Sequence, residues 1–417
     1  MNLVATGLLW FAAVVSLYFA VFWFLVLLDG DRPAVRRKWK EWPLVTVAIP
    51  AWNEEQDIEG TLRSVLALDY PADRLEIIVV DDGSKDGTVV RAQGIVSGFP
   101  GRDVRIISQE NGGKGSALNT ALARAKGEFF VTMDVDSFIQ KDGLKRLLAY
   151  FVDRDIAAVM PLMAVHEPKS LLQKMQWTEY IVNMFYKTLM GRLDCLHVVP
   201  GPFPVYRTEA LRKVGMFDAD HNLTEDLEMA YRLQKNQYRL VQATDVTAMT
   251  KSPFTFREFY AQRNRWFKGA VQNTWSYRKL LFDKAYGDFG MIQLPTVLLA
   301  GVLSLILFSQ LVYYSAKPVL EVGYRLWFVD FDIWTLLRNF SLDLHALDID
   351  YMAVLLSVAM LGMSAVILWR SHRMMSARVS EQGWISLVGF LFAYYLVLGV
   401  AWVGVFVDLV RGRRQKW

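Results

Sequence analysis

The feature that most constrains this 417-residue chain is a set of four long segments that contain no charged side chain. At a rise of about 1.5 Å per residue, a helix formed by any of them is long enough to cross a hydrocarbon core of about 30 Å. Hydrophobic residues make up 53% of the chain, more than in an ordinary soluble protein. We therefore predict four transmembrane helices, within residues 1–28, 289–316, 351–369 and 382–407.

The charges beside these segments predict an orientation. Basic residues between positions 32 and 40 follow the first segment, and the positive-inside rule places such a flank in the cytoplasm. An acidic external loop is then expected at 317–350. The basic tail after 410 would lie outside, against the rule, unless this loop dips into the bilayer; both alternatives stay open. The predicted divisions are a membrane anchor (1–31), a cytoplasmic globular domain (41–253), amphipathic interfacial helices (254–288) and a C-terminal membrane region (289–417).

Between the membrane segments, strand-like and helix-like patterns alternate. The apolar runs LVTVAI, LEIIVV, VRIIS and FFVTM predict strands that begin near residues 44, 75, 104 and 129. Such alternation predicts an α/β domain with a mostly parallel, Rossmann-like sheet, in which ligands bind beyond the carboxyl ends of the strands. Each predicted strand is followed by a polar segment: PAWNEE, DDGSKDGT, QENGGKGSA and DVDS.

The last of these segments contains two carboxylates, Asp134 and Asp136. The chain has six Asp-x-Asp triplets, so the triplet alone carries little information. This one follows a buried strand, where side chains two residues apart point the same way. The position favours a divalent cation site, and the alternative is a solvated turn.

The other segments offer complementary chemistry. Asp81 and Asp82 can accept hydrogen bonds from a ribose or a base. Lys114 lies among glycines at the start of a predicted helix, which favours an anion such as phosphate. The single cysteine, Cys195, excludes an internal disulfide, and the net charge of +4 comes mainly from basic residues beside membrane segments. These charges favour membrane lipid as a partner and not nucleic acid.

The motifs PAWNEE, DDGSKDGT, NGGKGSALN, MDVDS, TEDLEMAYRL and QRNRW occur in the order seen in a known family. In this respect the chain resembles the membrane-embedded inverting glycosyltransferases of family 2, which include the hyaluronan, cellulose, chitin and poly-N-acetylglucosamine synthases. The resemblance covers about residues 44–270. It implies a GT-A-like fold, embedded between transmembrane helices.

The resemblance also implies roles for individual residues. Asp134 and Asp136 would hold Mg²⁺ or Mn²⁺, and Asp226 would be the general base, with Glu225 beside it in the catalytic set. The alternative for Asp226 is an acid at a helix N-terminus. The donor-binding set would be Asn53, Glu54, Asp81, Asp82, Lys114, Asp134 and Arg265. The acceptor-binding set would be Gly201, Gln262 and Trp266, the last two on a helix that is also amphipathic.

The implied enzyme is a metal-dependent, processive hexosyltransferase that extends a polysaccharide from an NDP-sugar, with a UDP-sugar expected as the donor. It is expected to feed the polysaccharide between its own transmembrane helices. The alternative is the non-processive transfer of one sugar to a lipid carrier or a glycolipid. A transporter is disfavoured because the apolar segments contain no ionisable side chain that could couple ions. We expect an integral protein of the plasma membrane with a cytoplasmic catalytic domain. The pattern does not identify the sugar.

Overall fold

The computed structural model of the protein describes residues 3–30, 35–219, 223–328, 330–338 and 351–411. Contacts within the chain divide it into two compact units. One comprises Met1–Gly30 with Leu299–Arg370, and the other comprises Asp31–Leu298 with Ser371–Trp417. The basic tail after Arg411 and, within the predicted external loop, residues 329 and 339–350 lie outside the described residues.

The second unit contains a mixed eight-stranded sheet. Its strands are β1 (Val45–Ala51), β2 (Leu75–Asp81), β3 (Asp103–Ser108), β4 (Phe129–Thr132), β5 (Ser137–Ile139), β6 (Ile156–Val165), β7 (Val205–Arg207) and β8 (Arg239–Thr250). Their spatial order is β3-β2-β1-β4-β7-β6-β8-β5. The parallel pairs are β1 with β2 and β4, β2 with β3, and β6 with β8, while β5 and β7 pair antiparallel with their neighbours. The predicted Rossmann-like α/β sheet and its first four strands are confirmed.

The helices of the two units follow in chain order. They are α1 (Leu3–Leu28), α2 (Ile58–Leu66), α3 (Thr88–Val96), α4 (Gly113–Arg124), α5 (Gly143–Leu148), α6 (Leu171–Arg192), α7 (Thr208–Val214), α8 (Glu225–Lys235), α9 (Phe256–Ser276), α10 (Leu294–Phe328), α11 (Ile333–Arg338), α12 (Tyr351–Met374), α13 (Trp384–Phe392) and α14 (Tyr394–Val410).

The central strands β1, β2, β4 and β6 are buried on both faces, which explains their continuous apolar runs. Alternate residues of β1 enter different cores: Val47 packs in the cluster that contains Leu62 of α2, and Ala48 in the cluster that contains Leu118 of α4. This two-residue period places helices on both sides of the strands. Because β1, β2, β3 and β4 run parallel to one another, the loops at their carboxyl ends meet at one edge of the sheet.

Helix α9 lies within the segment 254–288 that was predicted to form amphipathic helices, and α6 packs beside its start. Each begins with a capping box, formed by Ser170 with Gln173 and by Thr255 with Glu258, which satisfies amides at the helix start. The Gln173 side-chain amide also donates to the carbonyl of Ser252, just before α9, at 2.8 Å. The two helix starts are therefore joined to each other.

Among the residues that the structure describes, three helices are long and apolar enough to cross a membrane: Thr6–Leu28, Phe289–Phe328 and Tyr351–Met374. The fourth predicted span is a helix pair, α13 and α14, bent by 43°. The prediction of a loop from residue 317 was wrong for its first part, because α10 continues to Phe328. An ion pair between Lys317 and Glu321, four residues apart, favours the helix there.

Candidate functional site

Asp134 and Asp136 lie in a turn directly beyond the carboxyl end of β4. The strand ends at Thr132, and the amide of Ser137 donates to the carbonyl of Asp134 at 3.1 Å. A turn therefore presents the two carboxylates, where the sequence suggested a continuing strand. Both side chains are half-buried, while Val135 between them is buried in the core. The two acids are thus held at the sheet edge and are not freely solvated.

Asp136 is held by hydroxyl groups and carries an unusual charge environment. Its Oδ1 accepts hydrogen bonds from Ser137 Oγ at 3.0 Å and from Thr250 Oγ1 at 3.2 Å. Burial, followed by the charge of Asp134, raises the pKa of Asp136 to about 6. Burial, followed by the charges of nearby carboxylates that include Asp136 and Asp134, raises the pKa of Glu54 to about 7. Negative charge is therefore concentrated at this edge, which favours a bound cation.

The Lys114 ammonium joins two parts of the site. Its Nζ lies 2.7 Å from Asp134 Oδ1 and 2.7 Å from Glu225 Oε1. Burial lowers the pKa of Lys114, but the charges of Asp134 and Glu225 outweigh burial and hold that pKa above its ordinary value. Lys114 is therefore a permanent cation between the turn after β4 and the start of α8.

Asp82 holds the glycine-rich loop before α4. Its carboxylate accepts hydrogen bonds from the amides of Gly112 and Gly113, at 3.0 and 2.8 Å, and from Gln109 Nε2 at 2.7 Å. Asp81, at the end of β2, accepts from the amide of Ser84 at 3.1 Å. Both aspartates are buried, so in this structure their carboxylates organise loops. Their predicted contacts with a nucleoside stay predictions.

Asn53 and Glu54 connect the loop after β1 to the loop after β2. The Asn53 backbone N–H donates to Ser84 Oγ at 2.9 Å, and the Asn53 side-chain Oδ1 accepts from the Lys85 backbone N–H at 2.8 Å. The Glu54 amide donates to Thr88 Oγ1 at 2.8 Å, which leaves its carboxylate out of this contact. Two of the four predicted polar loops are thereby fixed to each other.

Glu225 and Asp226 open α8 but differ in their surroundings. Burial raises the pKa of Glu225, yet the neighbouring Lys114 ammonium outweighs burial and holds that pKa below its ordinary value. Burial and then the charge of Glu225 raise the pKa of Asp226 to about 6. Within the described residues no basic side chain forms an ion pair with Asp226, whose Oδ1 accepts from the Leu227 amide at 2.9 Å. Asp226 is therefore the better placed of the two to take up a proton near neutral pH.

Helix α9 fixes the residue before this acidic pair. Asn273 Nδ2 donates to Thr224 Oγ1 at 3.0 Å. A Cβ atom on Gly269 would lie 2.7 Å from Thr224 Cγ2, so only glycine allows this close approach. The helix that carries QRNRW therefore also sets the position of the α8 N-terminus.

The predicted QRNRW residues lie on α9 with different exposure. Gln262, Arg265 and Trp266 are half-buried, whereas Arg263 and Asn264 are buried. The Arg265 charge acts on Glu225 and helps to lower its pKa. Trp266 packs against the apolar cluster that contains Tyr180 and Met184 of α6.

Gly201 lies against the turn after β4. A Cβ atom at this position would lie 2.5 Å from Asp134 Oδ1. The loop around it is hydrogen-bonded to the strand end, since the Phe203 amide donates to the Thr132 carbonyl at 3.1 Å. Gly201 therefore lies beside a predicted donor-site carboxylate, and its predicted contact with an acceptor stays a prediction.

Sequence reasoning missed four side chains that support this site. Gln109 lies in the segment before the glycine loop and has a local signal. Thr250 on β8 and Glu179 on α6 have none, because their partners are distant in the sequence. Arg263 lies within the QRNRW motif, but the motif does not indicate that its side chain is buried against Glu179. Within the described residues, no group of three or more histidine, cysteine, aspartate or glutamate side chains could hold a metal ion.

Residues 46–215 match the family model described as glycosyl transferase family 2. Beta-monoglucosyldiacylglycerol synthase of Synechocystis sp. is 26% identical over 313 residues, which cover 72% of this chain and 64% of the relative. Poly-beta-1,6-N-acetyl-D-glucosamine synthase of Staphylococcus aureus is 29% identical over 231 residues, 54% of each chain. The chain thus spans about half to two thirds of the length of these relatives.

A solved structure, that of mannosyltransferase PcManGT from Pyrobaculum calidifontis in complex with GDP-Man and Mn²⁺, shares the fold. The TM-score is 0.62 at 22% identity, and the match covers 97% of this chain and 98% of that one. The family match covers the turn after β4, the glycine loop and Lys114, whereas Glu225, Asp226 and the QRNRW helix lie beyond it. This chain therefore carries a glycosyltransferase family 2 domain.

Proposed function

We propose that this protein is an inverting hexosyltransferase that moves a sugar from an NDP-sugar, expected to be a UDP-sugar, to an acceptor at a membrane. The observation that carries the proposal is the double ion pair of Lys114, which joins Asp134 of the donor-side turn to Glu225 beside Asp226. The relatives named above are a glycolipid synthase and a polysaccharide synthase. The solved mannosyltransferase binds GDP-Man and Mn²⁺, which supports a nucleotide sugar and a divalent cation.

Asp134 and Asp136 are the residues that would hold Mg²⁺ or Mn²⁺. They fit such an ion because carboxylate oxygens suit it and because negative charge is concentrated at this edge, where burial and neighbouring carboxylates raise the pKa of Asp136 and Glu54. Two protein ligands leave positions for phosphate oxygens and water, as is usual for Mg²⁺. The ion would neutralise charge on the departing diphosphate.

In the proposed reaction Asp226 takes the proton of an acceptor hydroxyl. The acceptor oxygen then bonds to the anomeric carbon, and the bond from that carbon to the diphosphate oxygen breaks. The electron pair leaves with the nucleoside diphosphate, whose negative charge Lys114 and Arg265 stabilise. A single displacement of this kind inverts the anomeric centre.

Polysaccharide synthesis is the leading candidate for the product. It rests on Trp266, whose half-buried indole lies on the helix that also holds the start of α8, because a flat aromatic face suits the C–H face of a pyranose. The transfer of one sugar to a lipid is the second candidate. It is favoured by the longer alignment with the glycolipid synthase, 313 residues against 231.

The proposal places the catalytic unit on the cytoplasmic side of the plasma membrane, because basic residues follow α1. A cysteine introduced at the exposed Val90 of α3 tests this side. A membrane-impermeant thiol reagent should label it in inside-out vesicles and not in intact cells. Labelling in intact cells would reverse the orientation.

The function itself is tested with the purified full chain in lipid nanodiscs that contain diacylglycerol. The nanodiscs are incubated with a panel of labelled UDP- and GDP-sugars, an N-acetylglucosamine oligosaccharide and Mn²⁺ or Mg²⁺. We expect label from one donor in the lipid fraction or in a larger glycan, and the size of the product separates the two candidates. Failure of every donor to label either fraction would contradict the proposal.

Gly201→Ala should lower sugar transfer by about 10²-fold, the scale of a displacement of about 1 Å in a catalytic group. The added Cβ would enter the space of the Asp134 carboxylate. The matched control is Gly94→Ala on α3, where a Cβ meets no atom within 4 Å. Initial rates and thermal unfolding should be measured for both. A Gly201→Ala protein with the rate of the control would separate Gly201 from the donor site.

A further inference from the structure

A buried polar cluster joins three helices close to QRNRW. Arg263 of α9 donates from Nη2 to Glu179 Oε2 of α6 at 2.6 Å, and the hydroxyl of Tyr394, the first residue of α14, donates to the same oxygen at 2.6 Å. Arg263 is 3% exposed and Tyr394 is fully buried. One carboxylate oxygen therefore connects α6, α9 and the last helix of the described chain.

Arg263 also contacts the ring of Trp266. Its guanidinium carbon lies 4.4 Å from the centroid of the Trp266 ring and 5.0 Å from that of Phe259. A guanidinium over an aromatic face is attracted to it. Because Glu179 fixes the guanidinium, the contact also restrains the indole.

Tyr394 lies at the bend of the candidate fourth membrane span. Helices α13 and α14 meet there at 43°, on either side of Ala393. Phe390 and Phe259 pack against the Tyr394 ring, with centroids 5.6 and 5.7 Å away. The position of the bend is thereby connected to Arg263 through Glu179.

Stability alone does not explain this cluster. A buried ion pair is rarely more stable than well-packed apolar side chains of the same volume. Arg263 Nε is buried and has no hydrogen-bond partner within the described part of the chain. The guanidinium therefore does not use all of its hydrogen-bond donors. This is expected if its orientation toward Glu179 and Trp266 matters more than complete hydrogen bonding.

The cluster also lies close to the donor-side carboxylates. Tyr180, the neighbour of Glu179 in sequence, is buried, and burial raises its pKa. The charges of Arg263 and Asp136 both act on this hydroxyl. The side chains that restrain Trp266 are therefore near the site where the sugar is expected.

We propose that Arg263, held by Glu179 and Tyr394, is a positioning residue that orients the Trp266 ring toward the acceptor. This inference rests on the proposed function and adds an element of acceptor use to it. On this inference, the position of the bend between α13 and α14 helps to set the orientation of Trp266 at the acceptor site.

The least invasive test is Tyr394→Phe, which removes one hydroxyl and keeps the ion pair. Transfer to the acceptor in the nanodisc assay should fall about 10-fold, the scale of a lost hydrogen bond to a charged group. Release of nucleoside diphosphate by hydrolysis should change by less than about twofold, because water needs no aromatic platform. Arg263→Gln should also lower transfer more than hydrolysis, and the loss of transfer should be larger than in Tyr394→Phe.

A double-mutant cycle tests whether the effect passes through Trp266. In a Trp266→Ala background, Tyr394→Phe should cause no further loss of transfer, since coupled residues give non-additive effects. An equal loss in both backgrounds would overturn the inference. The inference also fails if Tyr394→Phe lowers hydrolysis and transfer equally, whereas a wild-type protein that transfers no sugar would sink the proposed function itself.

The chain offers a matched control on the same two helices. Lys268 of α9 is buried and its Nζ lies 2.8 Å from Asp408 Oδ2 of α14. The double replacement Lys268→Met with Asp408→Leu removes this ion pair without leaving a buried charge. It should leave the ratio of transfer to hydrolysis unchanged. A selective loss of transfer in this control would mean that any weakening of the contact between α9 and α14 suffices, and would overturn the role of Arg263.

Discussion

Asp136→Asn should abolish metal-dependent sugar transfer, with a loss of at least about 10³-fold, because a bound cation supplies several kcal/mol of charge stabilisation. Asp134→Asn should have the same effect. The fold should be retained, since both carboxylates are half-buried at the sheet edge and lie outside the apolar core. Turnover is measured over a range of Mn²⁺ and Mg²⁺ concentrations and after treatment with EDTA.

The matched control is Asp153→Asn, which changes another Asp-x-Asp triplet. The Asp153 side chain is 60% exposed and lies 3.6 Å from Arg239, so its loss should leave turnover within about twofold. Circular dichroism and thermal unfolding should confirm that all variants are folded. Full activity of the wild type in EDTA would contradict a role for the cation. A loss of turnover in Asp153→Asn as large as that in Asp136→Asn would contradict it as well.

Asp226→Asn should lower turnover by at least about 10²-fold and leave nucleotide affinity nearly unchanged, as expected for the loss of a general base. The wild-type rate should rise with pH through about 6, because the carboxylate accepts a proton only when it is ionised and its pKa is about 6. At saturating Mn²⁺, which keeps the ligand Asp136 ionised, this dependence should vanish in Asp226→Asn. Affinity for UDP and turnover are measured on the same preparation.

Glu225→Gln provides a contrast within the same helix turn. The Glu225 charge raises the pKa of Asp226, so its removal should move the midpoint of the pH profile to a lower value. Lys114 would also lose one of its two partners, and nucleotide affinity should change with it. An unchanged pH profile in Asp226→Asn would return Asp226 to the role of an acid at a helix N-terminus.

Local patterns were sufficient to predict the first half of the sheet. The strands β1, β2, β3 and β4 are apolar runs, and the polar loops that follow them meet at one edge because neighbouring parallel strands end together. The later strands were not predicted. β5 and β7 are only three residues long, and β6 contains Pro161, so their periodicity is weak.

The division of roles inside the site could not be predicted in the same way. The choice between Glu225 and Asp226 depends on the position of the Lys114 ammonium, a side chain 111 residues earlier in the sequence. The hydrogen bonds that the Asp82 carboxylate accepts from the glycine-rich loop likewise depend on how the ends of β2 and β3 approach each other. Neither proline nor glycine stands at Ala393, so the fourth apolar run gave no local signal of the bend between α13 and α14.

The central claim is inverting sugar transfer at this site, and proton NMR of the running reaction tests it most directly. The full chain in nanodiscs is supplied with the α-linked donor identified in the panel, an acceptor and Mn²⁺. We predict that the donor's α-anomeric signal falls while a β-glycoside signal rises in equal amount. An α-glycoside product, or conversion to free sugar alone with every donor and acceptor supplied, would contradict the account.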